Sequence, residues 1–555
     1  MELLSNLKTV YVSFCDGMEE VVSNRDDEEM TASASVNTNT TFFPNLDILQ
    51  LEYMDNLKHI GGGIAKGTAN VIHGESECSQ VGDVSWSLCQ YSKEISISDC
   101  KALSSVIPSY TAGRMEKLQV LSIYNCTSMM EVFETKETNI NGSSTSTTLT
   151  IPRPTNSIMH KLPNLKQLTI YDCDCLEYIF TFSTLESLRN LRTLQIINCK
   201  AMKMIVREEY GTTSSKDVVF PRLKSIELNT LPSLEGFFLG VNTDFRWPLL
   251  EYARIRDCPQ IITFTSGQST APKLKYVHTE LGKHNPECGF NVMPRLHETT
   301  SPSLDGISLH PTILQGRTWS FHNLIEYNLD HNYRYTKIFP SSELQHLQKL
   351  ETIHADGCQN VEEVFEVAME VTSNESQTVF KFPKLREVDL EDMWNLKRIW
   401  KSNQGRILEF PNLTRLSIIG CHELEHVFTC SMVGCVMQLQ ELHIEECRNM
   451  KVIVKEEEDY DFKAIEIKFP CLKSLKLDDL ECIKGFYLGE DDFTFPTLDT
   501  LVIKQCREIT VFTKGLSSTP KLSVVETGFG SFDVGENINS FIITKKQVNV
   551  FSFYY

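Results

Sequence analysis

The apolar residues of this chain fall into one frame that returns along nearly its whole length. From Leu165 to Phe180 the sequence places Leu165, Leu168, Ile170, Cys173, Leu176 and Ile179 at the spacing L-x-x-L-x-I-x-x-C-x-x-L-x-x-I. The same spacing starts at Leu118, Leu191, Leu413 and Leu439, and in weaker or substituted form at Leu7, Leu46, Ser92, Leu223, Leu250, Leu324, Leu350, Leu385, Leu472 and Leu498. Those are fifteen copies, and truncated ones begin at Leu274 and Leu522. The L-x-I step has period two, which predicts a short strand with one face turned inward. Apolar positions on either side close a coil that one repeat cannot bury by itself, so neighbours must stack to share a core.

This frame is that of a leucine-rich repeat. The expected fold class is therefore an α/β repeat solenoid: a leucine-rich repeat horseshoe with a parallel concave β-sheet and an irregular or short helical convex side. Ten copies carry Cys at the slot after the strand: Cys15, Cys100, Cys126, Cys173, Cys199, Cys258, Cys358, Cys421, Cys447 and Cys506. The other five carry Met54, Leu231, Asn332, Met393 and Leu480 there, the mixture expected of a buried packing position.

Surplus sequence between copies is polar, as in Ser23–Thr41, Glu134–Ser157 and Glu370–Thr378, and reads as solvated loops leaving the coil. A second period lies above the first. Leu165, Leu191, Leu250 and Leu274 match Leu413, Leu439, Leu498 and Leu522 at an offset of 248 residues, and Leu223 matches Leu472 at 249. MKMIVREEY (202–210) and MKVIVKEEEDY (450–460) carry the same message, so a block of about five repeats was duplicated. The expected organisation is a first repeat block at 1–280, an irregular connection at 281–318, a second block at 319–526, and a tail or cap at 527–555.

Composition narrows the function classes. With 53 basic and 73 acidic residues the chain carries a formal charge of −20, and no run of Lys and Arg interrupts it, which argues against nucleic acid as a partner. No apolar run reaches the roughly 18 residues of a membrane span. The start, from Met1 to Lys8, has no secretion signal. Eighteen cysteines placed mostly in inward slots read as reduced thiols in a reducing compartment, and the expected location is cytoplasmic.

Candidate chemistry is sparse. His422-Glu423-Leu424-Glu425-His426 matches H-E-x-x-H, which on a helix aims two imidazoles at one zinc ion with Glu as general base. Here, Leu424 and Val427 are inward positions of the Leu413 copy, and the duplicated segment around Leu176 has no ligand pair, so two surface histidines are expected and a zinc hydrolase is the third-ranked reading. Cys430 and Cys435 have no second pair to complete a metal site. Cys173 and Cys199 lie near strand spacing, but parallel side-chain directions disfavour a disulfide. The glycines of Gly61–Thr68 lack the order of a phosphate loop and read as a flexible loop. The acidic run Glu456–Asp459 reads as a solvated face. No catalytic residue, metal ligand or cofactor-binding residue is assigned, and no enzyme is expected.

What remains is surface. Residues between the inward leucines point to the concave side, the usual binding face of such arrays. The candidate protein-binding positions are Arg386, Asp389 and Glu391 in the Leu385 copy, His443 and Glu445 in the Leu439 copy, and Lys476, Asp478 and Asp479 in the Leu472 copy.

The alternation of FPKLREVDLEDMWNLKRIW (382–400) with LTRLSIIGCHELEHVF (413–428) resembles the repeat region of plant nucleotide-binding leucine-rich repeat disease resistance proteins of the coiled-coil class, and their resistance gene candidate group in particular. WSFHNLIEYNLD (319–330) and the stretch at 338–367 are similar to that group, and the resemblance runs to about residue 526. It implies an intracellular immune receptor whose repeats sense a pathogen effector or a modified host protein and restrain a nucleotide-binding domain. ADP or ATP would then sit on an upstream domain, since none of that domain's motifs occurs here. The alternative is a stand-alone repeat scaffold or decoy with no switching role.

Overall fold

The computed structural model describes residues 6–21, 43, 45–60, 62–65, 84–111, 113–135, 160–209, 217–240, 243–261, 263–286, 323–333, 335–367, 378–400, 406–457, 467–535 and 537–547. They form two compact units, the first mainly Met1–Thr279 and the second mainly Glu280–Asn285 with Trp319–Tyr555. Each is a stack of repeats around a sheet.

In the first unit the sheet strands are β1 (Thr9–Ser13), β2 (Ile48–Glu52), β3 (Glu94–Ser98), β4 (Val120–Tyr124), β5 (Gln167–Tyr171), β6 (Thr193–Ile197), β7 (Ser225–Asn229), β8 (Tyr252–Arg256) and β9 (Val277–Thr279). Consecutive strands pair in parallel without a slip, as in Leu168↔Leu194 and Leu194↔Ile226. The second unit holds β10 (Gly282–His284), β11 (Leu324–Asp330), β12 (Thr352–Asp356), β13 (Glu387–Glu391), β14 (Arg415–Ile419), β15 (Glu441–Glu445), β16 (Ser474–Asp478), β17 (Thr500–Lys504), β18 (Val524–Thr527) and β19 (Gly530–Asp533). From β11 to β18 the pairing is again parallel and in register. All seventeen sequence copies, truncated ones included, have a strand at the expected step, and the fold is a leucine-rich repeat solenoid.

A shared register puts like residues over like. Leu168, Leu194, Leu416 and Leu442 are buried, as are Ile170, Ile196, Ile418 and Ile444. Each strand ends the same way. In all fifteen full copies the residue before the Cys slot is left-handed, with φ from 49° to 66°, and only Gly357 and Gly420 among them are glycine. The others, such as Asp99, Asn125, Asp172 and Asn198, bear a conformation that costs non-glycine residues about 1 kcal/mol. The gain is a hydrogen bond to the next repeat: the Asp99, Asn125 and Asp172 N–H groups donate to the carbonyls of Tyr124, Tyr171 and Ile197. Cys126 Sγ then turns back under the strand and donates to the Tyr124 carbonyl at 3.4 Å. The slot is buried except at Cys15 and Asn332, which are only partly covered. Burial pushes the Cys126 and Cys506 thiols up to about 12, so they stay protonated. None of the sixteen cysteines among the described residues is joined in a disulfide.

Several expectations are corrected. The outer side is not merely irregular or helical: it carries short parallel strands such as Val218–Val219, Phe245–Arg246 and Ser269–Thr270, and Lys337–Phe339, Glu363–Phe365 and Arg398–Trp400. They form because aromatic residues stack there from repeat to repeat, Phe339 on Phe365 at 5.2 Å for example. Gly62–Ala65 is no free loop but pairs antiparallel with Val84–Ser87. The connection expected from 281 opens with β10, which pairs antiparallel with β11. Gly282 allows this approach: its φ is +127°, and a Cβ there would lie 1.9 Å from the Glu326 carbonyl oxygen. Residues 287–318 of that connection and the first four of the second block, 319–322, lie outside the described residues, as do most of the three polar loops. In the region expected as a tail or cap, β19 folds back antiparallel on β18, and a helix follows at Ile538–Gln547. Ile538, Phe541 and Ile542 on that helix are buried, and Asn539 accepts the N–H groups of Phe512 and Thr513 and donates to the Thr513 carbonyl.

Candidate protein-binding surface

Outward residues of β13 to β16 make up the candidate surface. Asp389 is half exposed and faces His354 on β12 at 3.9 Å. Arg386 and Glu391 are exposed at the two ends of the same strand, and the Arg386 carbonyl accepts the Thr414 and Arg415 N–H groups. The four candidates of β15 and β16 meet. His443 Nε2 lies 2.8 Å from Glu445 Oε2, Lys476 Nζ reaches the same carboxylate at 2.6 Å, and Lys476 also faces Asp478 at 3.7 Å. Partial burial raises Glu445, but the Lys476 and His443 hydrogen bonds outweigh it and hold the carboxyl below its ordinary range. Asp479 follows in the left-handed position, and burial together with the Glu481 and Asp478 charges pushes it up. The structure thus brings His443, Glu445, Lys476, Asp478 and Asp479 into one polar group. It sets Arg386, Asp389 and Glu391 apart, on the far side of β14.

The H-E-x-x-H segment is a turn, not a helix, so the spacing that would aim two imidazoles at one ion is missing. Leu424 is buried beneath it. His422 Nδ1 donates to the Glu446 carbonyl at 2.9 Å. His426 is not the surface histidine expected: it is half buried, and its Nδ1 has no hydrogen-bond partner among the described residues. Burial lowers its pKa. Among the described residues no group of His, Cys, Asp and Glu side chains is placed to hold a metal ion.

Sequence reasoning missed the exposed aromatics. Trp394 is 47% exposed and stacks on His422, ring centres 6.2 Å apart, one repeat to the next. Phe14 and Tyr53 stack at 4.7 Å although they are 72% and 45% exposed, and Tyr11 Oη donates to Glu52 Oε2 beside them. The signal lay in the frame: Trp394 and His422 occupy the position after the Cys slot, and Phe14 and Tyr53 the position before it.

A stack of parallel, in-register repeats with a polar and aromatic outward face defines a leucine-rich repeat protein of the recognition class, a fold that serves in general as a non-enzymatic interaction scaffold. The chain belongs to the plant disease resistance protein RPS2-like leucine-rich repeat family, whose profile matches residues 78–167, 153–275 and 308–448, more than half of its length. No curated protein sequence is significantly similar to it. Solved structures similar to it include a leucine-rich cell surface protein of Faecalibacterium prausnitzii A2-165, at 11% identity and TM-score 0.14 over 84% of this chain and 85% of that one. Another is the plant peptide hormone receptor RGFR1 in complex with RGF2, at 11% identity and TM-score 0.18 over 79% of each chain. No residue correspondence is carried over at such values. No helix of the described residues is long and apolar enough to cross a membrane.

Proposed function

We propose that this chain is the recognition region of an intracellular plant immune receptor. Its outward sheet face senses a pathogen effector or a modified host protein, and its repeats restrain a nucleotide-binding switch domain. Partner contact shifts a two-state balance by binding the released state more tightly than the restrained one. ADP or ATP belongs to the switch domain in this reading, and no residue of the repeats is assigned to it.

One observation carries the reading beyond family membership. Across β5–β8 and their duplicates β14–β17, ten of twelve inward and slot residues are identical, from Leu168 and Leu416 to Cys258 and Cys506. Of the sixteen outward and left-handed positions on the same strands, only Ser225 and Ser474 agree. Packing demands the first set, whereas the second lies outside the core, with Thr169, Ser417 and Val502 among its buried exceptions, and most of it is open to a ligand. The test is to reverse Asp389, Asp478 and Asp479 together to Lys in the natural gene and to score pathogen-triggered cell death in its tissue. A lost response at unchanged protein level is expected; an intact response removes these positions from the recognition surface.

A further inference from the structure

Outward charge is distributed unevenly in the second unit. Strands β11 to β13 and the residues that follow them present Glu326, Asp330, Asp356, Glu387, Asp389, Glu391 and Asp392, with no Lys or Arg among them; exposed Arg386 stands just before β13, at the end opposite Glu391. Register stacks three of these in a row, Asp330 beside Asp356 and Asp356 beside Glu391, on strands about 4.8 Å apart. Like charges directly opposite each other on neighbouring strands destabilise the sheet that carries them. Other carboxylates of the same sheet are matched, Glu326 on β11 itself by Lys283 and Glu445 on β15 by Lys476. No ion pair with Lys or Arg joins Asp330, Asp356, Glu391 or Asp392 among the described residues. Beside this row, two residues past Asp392, lies the exposed Trp394–His422 stack. An exposed tryptophan face next to carboxylates matches a guanidinium or ammonium group, through its ring as well as through charge.

Resting on the recognition reading above, we infer that the outward face of β11–β13, with the Trp394–His422 rim, docks a lysine- and arginine-bearing segment of a partner protein laid across the strands. A cationic side chain there relieves the stacked repulsion, and the tryptophan favours arginine, whose planar head stacks on an aromatic ring. Nucleic acid is repelled by the same carboxylates.

The test uses the full chain with a fluorescent oligo-arginine peptide and an oligo-glutamate peptide of equal length, read by anisotropy. Binding of the first and not the second is expected. Asp356→Asn with Glu391→Gln weakens it about tenfold, the sum of two exposed charge pairs. Trp394→Ala weakens it about threefold at constant net charge. Glu116→Gln with Glu251→Gln, two exposed carboxylates of the first unit, removes the same charge and leaves binding unchanged. All variants are at exposed or, for Asp356, partly exposed positions, and matching urea midpoints verify their folding. Equal weakening by both charge pairs means diffuse attraction to an acidic chain and overturns the assignment, as does binding indifferent to Asp356, Glu391 and Trp394. Failure here with a lost tissue response in the Asp389, Asp478 and Asp479 variant removes the basic partner alone. Success here with an intact response removes Asp389, Asp478 and Asp479 from immune sensing and leaves the docking face of Asp356, Glu391 and Trp394.

Discussion

The two duplicated blocks solve one packing problem with nearly the same residues and then present different faces. Phe237 in the first unit is ringed by Phe220, Phe245, Trp247 and Phe264 at centre distances of 5.2–6.1 Å. Its duplicate Phe486 is ringed by Phe469, Phe493, Phe495 and Phe512 at 5.1–5.8 Å. On the sheet, by contrast, Ile197 and Asn198 become Glu445 and Glu446, and Asn229 and Thr230 become Asp478 and Asp479. Inward positions are constrained by every neighbour they touch, and interiors packed to crystal density tolerate few substitutions. Outward positions touch water, so a neutral row and an acidic row fit the same backbone equally well.

If the aromatic rings are equivalent, breaking either should hurt equally and severely. Phe237→Ala and Phe486→Ala are each expected to cost about 3–5 kcal/mol, since a fully buried ring is lost from a packed cluster. Urea unfolding of the two variants measures it, and a difference of several-fold between them would break the equivalence. A smaller effect tests the backbone. A Cβ on Gly267 would lie 2.2 Å from the Thr243 carbonyl oxygen, and one on Gly515 2.2 Å from that of Asp491. Gly267→Ala and Gly515→Ala should therefore each lose about 1–3 kcal/mol through forced backbone movement. Wild-type stability in either variant would mean that this close approach is not a requirement of the repeat.

The smallest effect sharpens a difference between the blocks. His160 is buried with its Nε2 on the Glu134 carbonyl at 2.9 Å, whereas its duplicate position holds Leu408, also buried. Burial lowers the His160 pKa below its ordinary 6.5. Below that value the unfolded chain takes a proton that the folded chain refuses, so stability falls as pH falls. His160→Leu should flatten the loss of stability between about pH 7 and about pH 5, in part only, because His426 is depressed in the same way. Identical urea midpoint shifts for the variant and the natural chain over that range would show that His160 is not a source of the acid sensitivity.

Much of this was legible in the residues because a repeat states its frame many times over. The strands at Leu7 and Leu522, the poorest copies, still fall where the frame puts them. The left-handed residue that ends each strand was not legible: Phe14, Tyr53 and Thr230 have no local reason to adopt it. Their conformation is held by N–H bonds to the following repeat's strand, a partner 25 residues away from Asp99 to Tyr124 and 45 from Tyr53 to Ser98. The candidate surface was half legible. Alternation said which residues face outward, but not that Lys476 gathers Glu445 and Asp478, nor that Trp394 finds His422.

By itself the sequence determined the repeat, its strand positions, the inward set and the duplication, because each follows from hydrophobic spacing that any stacked solution must satisfy. Only the tertiary structure decided which charges are neighbours, which aromatic residues stand exposed, and how β10 and β19 fold back against their partners. Those depend on the register between repeats far apart in sequence, and register is set by the stack as a whole.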